Sequence, residues 1–320
     1  MNRRILGALM ANHKILLLTH PYDQGDILED YLEWHLGLGI DFIVAGDLGS
    51  SDNSNEILNS FSKRGQLEWF SLTEKSILNC TPGERLLKKA LEGHSPDWIL
   101  MSDVDEFLCP VSDNLKAILD RAAENDITAI NVPCFNMTGS NSQPGRPATE
   151  TRTLRIDQPV IETYEQQVSG DIPAPYIFIR HPPRTLIRTA ALAEYGQGNH
   201  YATMAWGKTV QLPDLRILHY PIRGYDKFQA KIANTEAFFA GNDHLESWWG
   251  WHWRRWIRLQ REGRLREDFE NQFVSPERAE ELIREGVCTR DETVASWAKR
   301  KRQAGEGVRD PLVQGPTGSD

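Results

Sequence analysis

Residues 97–107 read DWILMSDVDEF, an apolar run that ends abruptly in three carboxylates. A strand buried on both faces has such a continuous hydrophobic sequence, and ligands of open α/β sheets bind beyond the carboxyl ends of these strands. In an extended chain Asp103 and Asp105 point to the same side, whereas Glu106 points with Val104 to the other. Like charges side by side repel unless a cation lies between them, and Mg²⁺ or Mn²⁺ prefers oxygen ligands. The stretch therefore predicts a metal site at a sheet edge.

Strands and helices alternate through the first half of the chain, because short apolar runs are separated by stretches with apolar residues at helical spacing. Strands separated by helices of this length imply βαβ units with right-handed crossovers and a mostly parallel sheet. The predicted strands are 14–19, 41–45, 66–70, 98–102 and 128–132, and the predicted helices are 26–39, one from Asn53, 82–92 and 114–124.

The pattern changes in the second half of the chain. Residues 136–150 are rich in Gly, Ser, Asn and Pro, and a long loop of this kind is usually functional or disordered. Short strands are predicted at 176–180, 185–188 and 215–219, and helices from Tyr225 to about Arg284. The expected domains are an α/β domain at 1–222, a helical extension packing on it at 223–302, and a disordered tail at 303–320.

The composition excludes several classes of protein. The net charge of the 320 residues is −9, which argues against bulk nucleic-acid binding, since that leaves a basic footprint. The cysteines Cys80, Cys109, Cys134 and Cys288 form no Cys-x-x-Cys pair, so reduced thiols are expected rather than a zinc ribbon or a disulfide framework. No run reaches the ~18 apolar residues of a membrane span, and no cleavage site follows a proper hydrophobic leader. We therefore expect a cytoplasmic protein.

A second polar motif, GDLGSSDNS at 46–54, lies between a predicted strand and a predicted helix. Asp47 is thereby placed at the same sheet edge as Asp103, where an acid can accept hydrogen bonds from a base or ribose. Gly49 and the serines allow a ligand to approach the backbone closely. The composition also fits an Asx turn followed by a helix N-cap, and the sequence leaves both interpretations open.

Four motifs in this order resemble the glycosyltransferase family 2-like group. They are DILEDYLEWH at 26–35 with LGID at 38–41, Asp47-x-x-Ser50-x-Asp52, Asp103-x-Asp105-Glu106-Phe107, and His219-Tyr220-Pro221-x-Arg223-x-x-x-x-Phe228-x-x-Lys231. The resemblance covers roughly residues 14–240 and implies a GT-A fold, which is a Rossmann-like α/β sheet flanked by helices, a nucleotide-sugar donor and Mn²⁺ or Mg²⁺. It implies that Asp47 holds the nucleotide base, Asp103 the ribose or a water on the metal, and Asp105 the metal itself, with Asp103 also a candidate at the metal site.

The first loop departs from that pattern. Members of the group often carry Lys-Asn-Glu near the end of the first strand, whereas residues 20–25 here are HPYDQG. Asp23 is the residue of this loop that could contact the donor.

Histidines and cations of the second half are further candidates. His219 follows a predicted strand and matches the family signature, so we predict it as a metal or phosphate ligand, with His200 second. His35 lies within a helix and is predicted to be structural. Arg223 and Lys231 could neutralise a diphosphate, and a solvated helix face is the alternative interpretation.

An inverting transferase needs a base that takes the proton of the acceptor hydroxyl. Glu150, Asp171 and Glu194 are weak candidates in the loop-rich middle of the chain, and each also fits an ordinary surface acid.

The run WWGWHWRRWIR at 248–258 combines aromatic and basic residues. As a helix it places Trp249, Trp253 and Trp256 on one face. Three interpretations stay open: a helix that packs on the sheet, an aromatic platform for an acceptor sugar, with Trp249 and Trp253 in contact, and a helix at a membrane surface.

These motifs together predict an inverting, metal-dependent glycosyltransferase that uses a nucleotide-sugar donor and a carbohydrate or lipid-linked acceptor. One alternative is a haloacid dehalogenase-type phosphatase with Asp103 as its nucleophile. In that family a Gly-Asp motif follows the nucleophile, whereas here Gly46-Asp47 precedes Asp103. The other is an inactive sugar- or nucleotide-binding module, because no base is assigned.

Overall fold

The computed structural model describes residues 13–72, 81–140, 146–159, 174–195, 200–241 and 250–306. Some residues with predicted roles lie outside these ranges: Cys80, Asp171, Trp248, Trp249 and the tail beyond Glu306.

Within the described residues the chain alternates between strands and helices. The strands are β1 (Ile15–Thr19), β2 (Phe42–Asp47), β3 (Leu67–Ser71), β4 (Trp98–Met101), β5 (Glu106–Pro110), β6 (Ile127–Thr138), β7 (Leu154–Ile156), β8 (His181–Arg188), β9 (Leu192–Tyr195), β10 (Ala202–Met204), β11 (Lys208–Val210), β12 (Leu215–His219) and β13 (Cys288–Arg290). The helices are α1 (Leu28–Gly37), α2 (Ser54–Lys63), α3 (Pro82–His94), α4 (Leu115–Glu124), α5 (Ala148–Thr151), α6 (Tyr225–Ala240), α7 (Trp251–Arg261), α8 (Leu265–Glu270), α9 (Pro276–Arg284) and α10 (Thr293–Glu306).

Local sequence accounts for several helix starts. Thr81 and Glu84 form a capping box at the start of α3, with Pro82 in the first turn. The Asn114 side chain accepts a hydrogen bond from the Ala117 N–H at the start of α4. These contacts satisfy amide groups that a helix leaves without partners.

The main sheet has the order β13-β7-β6-β8-β4-β1-β2-β3. Strands β3, β2, β1 and β4 are parallel to one another, β8 is antiparallel to β4, and β6 is antiparallel to β8. Strand β12 is parallel to β6, so it runs in the direction of β4. The carboxyl ends of β1, β2, β4 and β12 therefore meet at one edge of a mixed α/β sheet flanked by helices, and the predicted fold class is confirmed.

The centre of the sheet is covered on both faces. All residues of β1 and β4 are buried, and their alternate side chains enter two separate hydrophobic clusters. This explains why both strands read as continuous apolar runs rather than alternating ones.

Helix α1 fixes the strand that follows the acidic motif. The indole N–H of Trp34 donates to the carbonyl of Leu108 at 2.8 Å, and Nε2 of His35 accepts the amide N–H of Leu108 at 3.2 Å. Nδ1 of His35 lies 2.8 Å from the carbonyl of Tyr31. Both polar groups of one buried residue of β5 are thus satisfied by neighbouring side chains of α1, and His35 is structural as predicted.

The helices that follow β12 form a cluster of their own, and the segment after them adds a strand to the sheet. Phe228, Trp256 and Phe269 form the core shared by α6, α7 and α8. Strand β13 pairs with β7, and Trp297 of α10 packs edge-on against Trp34, with ring centres 5.3 Å apart.

Several boundaries differ from the sequence prediction. Strand β6 extends to Thr138 and α5 begins at Ala148, so the predicted loop 136–150 is shorter at both ends. Residues 176–178 form a 3₁₀ turn rather than a strand. Asn53 occupies the N-cap position of α2 but makes no side-chain cap hydrogen bond.

Candidate active site

The first two loops at the carboxyl edge of the sheet are tied together by Asp23. Its Oδ1 accepts the N–H of Ser51 at 2.6 Å and that of Asp52 at 3.2 Å. Its own N–H donates to Oγ of Ser50 at 3.0 Å. The Asp23 carboxylate therefore holds the second loop against the first, and its predicted contact with a donor stays a prediction.

Asp47 is buried at the end of β2 and closes an Asx turn. Its carboxylate accepts the N–H of Gly49 at 2.9 Å and of Ser50 at 3.0 Å. Gly49 has φ of 96°, a left-handed conformation that favours glycine. The Asx-turn interpretation is confirmed, whereas the nucleotide-binding role of Asp47 stays a prediction.

The acidic motif forms a turn, so the expectation of an extended chain was wrong. Strand β4 ends at Met101, and the N–H of Glu106 donates to the carbonyl of Asp103 at 3.0 Å. A turn cancels the alternation of side chains, and the N–H of Asp103 donates to Oε2 of Glu106 at 3.1 Å. Glu106 therefore lies with Asp103 rather than apart from the other acids.

Arg184 of β8 binds two of the three acids. Its Nε lies 2.7 Å from Oε2 of Glu106, and its Nη2 lies 2.6 Å from Oδ2 of Asp103. Glu106 is fully buried, and burial raises the pKa of its carboxyl to about 7 despite the adjacent Arg184 guanidinium. Burial also opposes the ionisation of Asp103, but Arg184 and His20 hold its pKa below the usual range. Arginine thus supplies the cation that the sequence assigned to a metal here.

Asp105 has a separate set of partners and is almost fully buried. Its Oδ2 lies 3.2 Å from Nη1 of Arg223 and 3.9 Å from Nζ of Lys231. Its Oδ1 lies 3.6 Å from Nε2 of His219. The structure therefore brings together Asp105 and three residues that the sequence singled out more than a hundred positions later, His219, Arg223 and Lys231.

Arg223 is fixed by several acceptors. Its Nε donates to Oδ2 of Asp26 at 2.7 Å, and its Nη2 donates to Oε1 of Gln24. The guanidinium is nearly buried, whereas 38% of the Lys231 side chain is exposed. Lys231 is therefore the cation that can turn toward a ligand, and the interpretation of Arg223 as part of a solvated helix face was wrong.

Asn136 of β6 orients His219. The Asn136 amide nitrogen donates to the carbonyls of Ile177 at 3.1 Å and Ile179 at 3.0 Å, so its Oδ1 is the atom that faces Nδ1 of His219, at 2.7 Å. That oxygen only accepts, so Nδ1 carries the hydrogen. Burial, with His181 next in effect, lowers the pKa of His219, and the neutral ring keeps its lone pair on Nε2.

A lone pair and a carboxylate oxygen therefore face each other between His219 and Asp105. Neither atom has a hydrogen to share at 3.6 Å, so a cation between them would satisfy both. An imidazole nitrogen and a carboxylate oxygen are suitable ligands of Mn²⁺. The residues fit a divalent metal at Asp105 and His219, while Asp103 contacts Arg184 and His20 instead.

His181 and His200 complete the wall of the site. The ring centres of His181 and His219 are 4.3 Å apart. Burial and Arg184 lower the pKa of His181 to about 3 and that of His200 to about 4, so both rings are neutral at pH 7. His200 approaches Nη1 of Arg184 at 3.2 Å, so it borders the Asp103 side of the site.

The two base candidates within the described ranges have different surroundings. Glu150 is buried, and its Oε2 lies 2.8 Å from Nη1 of Arg302 on α10. Glu194 is exposed on β9, in the two-stranded sheet formed with β10. The Glu150 contact fastens α10 to α5, and a role as base stays a prediction for each.

The aromatic and basic helix α7 faces the protein interior with its apolar side. Trp256 and Ile257 are buried, and the Trp256 indole N–H donates to Asp268 at 2.8 Å. Nζ of Lys231 lies 5.1 Å from the ring centre of half-buried Trp253. The helix packs, as one interpretation expected, but its partners are α6 and α8 rather than the sheet. The membrane-surface interpretation gains no support, and Trp253 borders the site through Lys231.

Sequence reasoning missed Arg184, Asn136 and His181. Each lies on a strand near the site, but none follows a glycine-rich loop or matches a motif. The position of Glu106 had a signal in the sequence. The residues that follow β4 are mostly polar, and such a stretch favours a tight turn over an extended chain.

Two solved structures show a distant similarity to this chain. The S. aureus protein TarS in complex with UDP aligns over 65% of this chain at 14% identity and a TM-score of 0.36, and this chain spans 60% of its length. Glucosyl-3-phosphoglycerate synthase from Mycobacterium tuberculosis, in complex with Mn²⁺, UDP and phosphoglyceric acid, aligns over 68% of this chain and 74% of its own, at 14% identity and a TM-score of 0.34. No protein-family model and no curated protein matches the chain. Similarities of this size carry no argument about the function of this chain.

None of the helices in the described ranges is long and apolar enough to cross a membrane.

Proposed function

We propose that the protein is a glycosyltransferase that binds a nucleotide-sugar donor with Mn²⁺ or Mg²⁺ held by Asp105 and His219. The observation that carries the proposal is the contact between Nε2 of His219 and Oδ1 of Asp105 at 3.6 Å, in which two electron-pair donors face each other in a buried site. The order of Asp47, Asp105 and His219 along the chain, which resembles the family 2-like group, supports the same conclusion.

The charges of the site suit a diphosphate. A divalent ion supplies neutralisation of the negative charge that a departing nucleoside diphosphate gains. Lys231 is half-exposed beside Asp105 and can contact a phosphate oxygen, while Arg223 holds the Asp105 carboxylate in place. The carboxyl edge that carries Asp47, Asp103 and Asp105 is where ligands of α/β sheets bind.

The proposal extends to the chemical class of the acceptor. We propose a carbohydrate or lipid-linked acceptor that packs on Trp253, since an aromatic face that borders a cation suits a sugar ring. Single displacement with inversion follows from the family resemblance.

Thermal unfolding with a panel of nucleoside diphosphates and their sugar conjugates tests the proposal. A ligand at 100 times its Kd adds about 2.7 kcal/mol to stability, so the melting temperature rises by several degrees when nucleotide and Mn²⁺ are both present. Asp105→Asn should abolish the metal-dependent rise. Asp126→Asn is the matched control, because Asp126 is exposed and has a positive φ that asparagine also accepts.

The outcomes separate the three candidate functions. Metal-dependent donor binding with release of nucleoside diphosphate supports a transferase. Binding without turnover of any donor would indicate the inactive module, and release of phosphate from simple phosphomonoesters would indicate the phosphatase. Absence of any metal-dependent nucleotide shift contradicts the proposal.

A further inference from the structure

Cys134, His181 and His219 lie side by side on three neighbouring strands of the sheet. Cys134 of β6 is in register with His181 of β8, and Asn136, two positions along β6, is in register with His219 of β12. One donor atom from each of the three residues lies within 4.8 Å of the other two. Because the ligands stand on strands rather than loops, the group is held by the backbone of the sheet.

Both imidazoles are oriented as they are in metal sites. Nδ1 of His219 donates to Asn136, and Nδ1 of His181 lies 3.0 Å from the carbonyl oxygen of Pro182, which only accepts. The free lone pair of each ring is therefore on Nε2. A hydrogen bond from the other ring nitrogen to a carbonyl or amide oxygen is the outer contact that fixes a metal-bound histidine.

The donor set selects a different metal from the one at Asp105. One thiol and two imidazoles suit Zn²⁺, whereas Mg²⁺ and Mn²⁺ prefer carboxylates and water. The three side chains are at most partly exposed, so the group is not a solvated surface cluster. Three protein ligands leave a fourth position for water, which allows the metal to exchange.

We propose that Cys134, His181 and His219 bind Zn²⁺, and that this ion withdraws His219 from the metal of the donor site. On binding, the metal replaces the thiol proton of Cys134, and that proton passes to solvent. The zinc site stands on its own geometry. The competition rests on the proposed function, because it requires Asp105 and His219 to share a second metal.

Titration of the metal-stripped full chain with Co²⁺, an optical substitute for Zn²⁺, tests the site without any assay of activity. We expect a near-ultraviolet thiolate-to-Co²⁺ charge-transfer band that saturates at one equivalent and disappears when Zn²⁺ is added. Cys134→Ser should lose the band. Cys288→Ser is the matched control, because Cys288 is a buried thiol on β13, which pairs with β7 and is two strands away from β6, and this variant should keep the band.

A second variant guards against a folding defect in Cys134→Ser. His181→Gln should keep the thiolate band but weaken Co²⁺ binding by about tenfold or more, since one of three ligands is lost. A wild-type chain without the band at saturating Co²⁺, or a band that survives in folded Cys134→Ser, overturns the proposal.

The competition has its own measurement. Zn²⁺ should suppress the Mn²⁺-dependent nucleotide shift of the melting temperature in the wild type and in Cys288→Ser, but not in Cys134→Ser. Equal suppression in all three proteins overturns the competition. If no nucleotide shift exists at all, the proposed function fails, and the Co²⁺ band still decides the zinc site.

Discussion

The side-chain oxygen of Asn136 lies 2.7 Å from Nδ1 of His219, and this contact decides which nitrogen of the ring faces Asp105. Asn136 can offer only that oxygen, because both of its amide hydrogens are taken by backbone carbonyls. The lone pair directed at the acidic motif is therefore set by a residue that touches neither the acid nor the proposed metal.

Asn136→Ala tests this orientation. We expect the affinity for Mn²⁺ to fall about 10- to 100-fold, which is typical when the outer partner of a metal-bound histidine is lost. The carbonyls of Ile177 and Ile179 also lose their donor, which costs about 1–3 kcal/mol of unfolding free energy. Calorimetric Mn²⁺ titration and urea unfolding measure the two effects. Asn131→Ala on the same strand is the control, and an equal loss of Mn²⁺ affinity there would contradict the orienting role.

Arg184→Met should destabilise the fold by about 3–5 kcal/mol, because fully buried Glu106 loses the cation that compensates its carboxylate and must take up a proton or stay unpaired. Adding Glu106→Gln should recover more than half of that loss, since no uncompensated buried charge is left. Urea unfolding of the two single variants and the double variant completes the cycle. Additive losses would show that the pair does not act as a unit.

The buried imidazole of His35 should make the free energy of unfolding decrease as the pH falls below 6.5. Burial lowers the pKa of His35 from 6.5 to about 4, because the charged ring would lose its hydration. The neutral ring accepts the N–H of Leu108. The unfolded chain takes up a proton first, so stability is complete above pH 6.5 and is lost as the pH falls toward 4, by about 3 kcal/mol in total. Unfolding of the wild type and His35→Gln between pH 7 and about 4 measures the difference. A wild-type imidazole that titrates near 6.5 by NMR would disprove the assignment.

The carboxylate of Asp52 should cause a further loss of stability at lower pH. Burial opposes its ionisation, but Lys227, Ser54 and the N–H of Gly25 lower its pKa from 3.8 to about 2. The folded state favours the carboxylate, so this stability is present above pH 3.8 and is lost as the pH falls toward 2.

Asp52→Asn and Lys227→Met should each flatten the acid limb of the stability curve in that range, by about 1–2 kcal/mol. Denaturant unfolding at a series of acidic pH values makes the comparison, with Asp126→Asn as the matched control. An acid limb that is unchanged in both variants contradicts the assignment of Asp52.

The parts of the fold that could be predicted are those with local signals. Strand β12 agrees with its prediction over Leu215–His219, and α4 begins after Asn114 as its sequence indicates. The sequence also predicted that Asp47 and the acidic motif lie at the same edge of the sheet, because the carboxyl ends of parallel strands meet there. Hydrophobic periodicity and helix caps depend on residues close together in the sequence, so they can be recognised without knowledge of the tertiary contacts.

The contacts that decide the chemistry could not be predicted in the same way. Arg184 reaches Glu106 across 78 positions, and no local pattern marks an arginine that will be buried. The pair of acids suggested a missing cation correctly, but a guanidinium from another strand supplies it for Asp103. Glu106 was misplaced because alternation holds only while the chain stays extended.

The membership of β12 in the sheet has a consequence for how the protein is made. Asp105 leaves the ribosome 118 residues ahead of Arg223, so the nascent chain carries its acidic turn for some time without the cations that later surround it. Strands β1, β2 and β4 can pair during that interval, and Arg184 of β8 can bind Asp103 and Glu106 before Arg223 reaches Asp105. The chain order thus allows the sheet scaffold to form before the Asp105 site, which is complete only after β12 has paired and Arg223 and Lys231 have followed it.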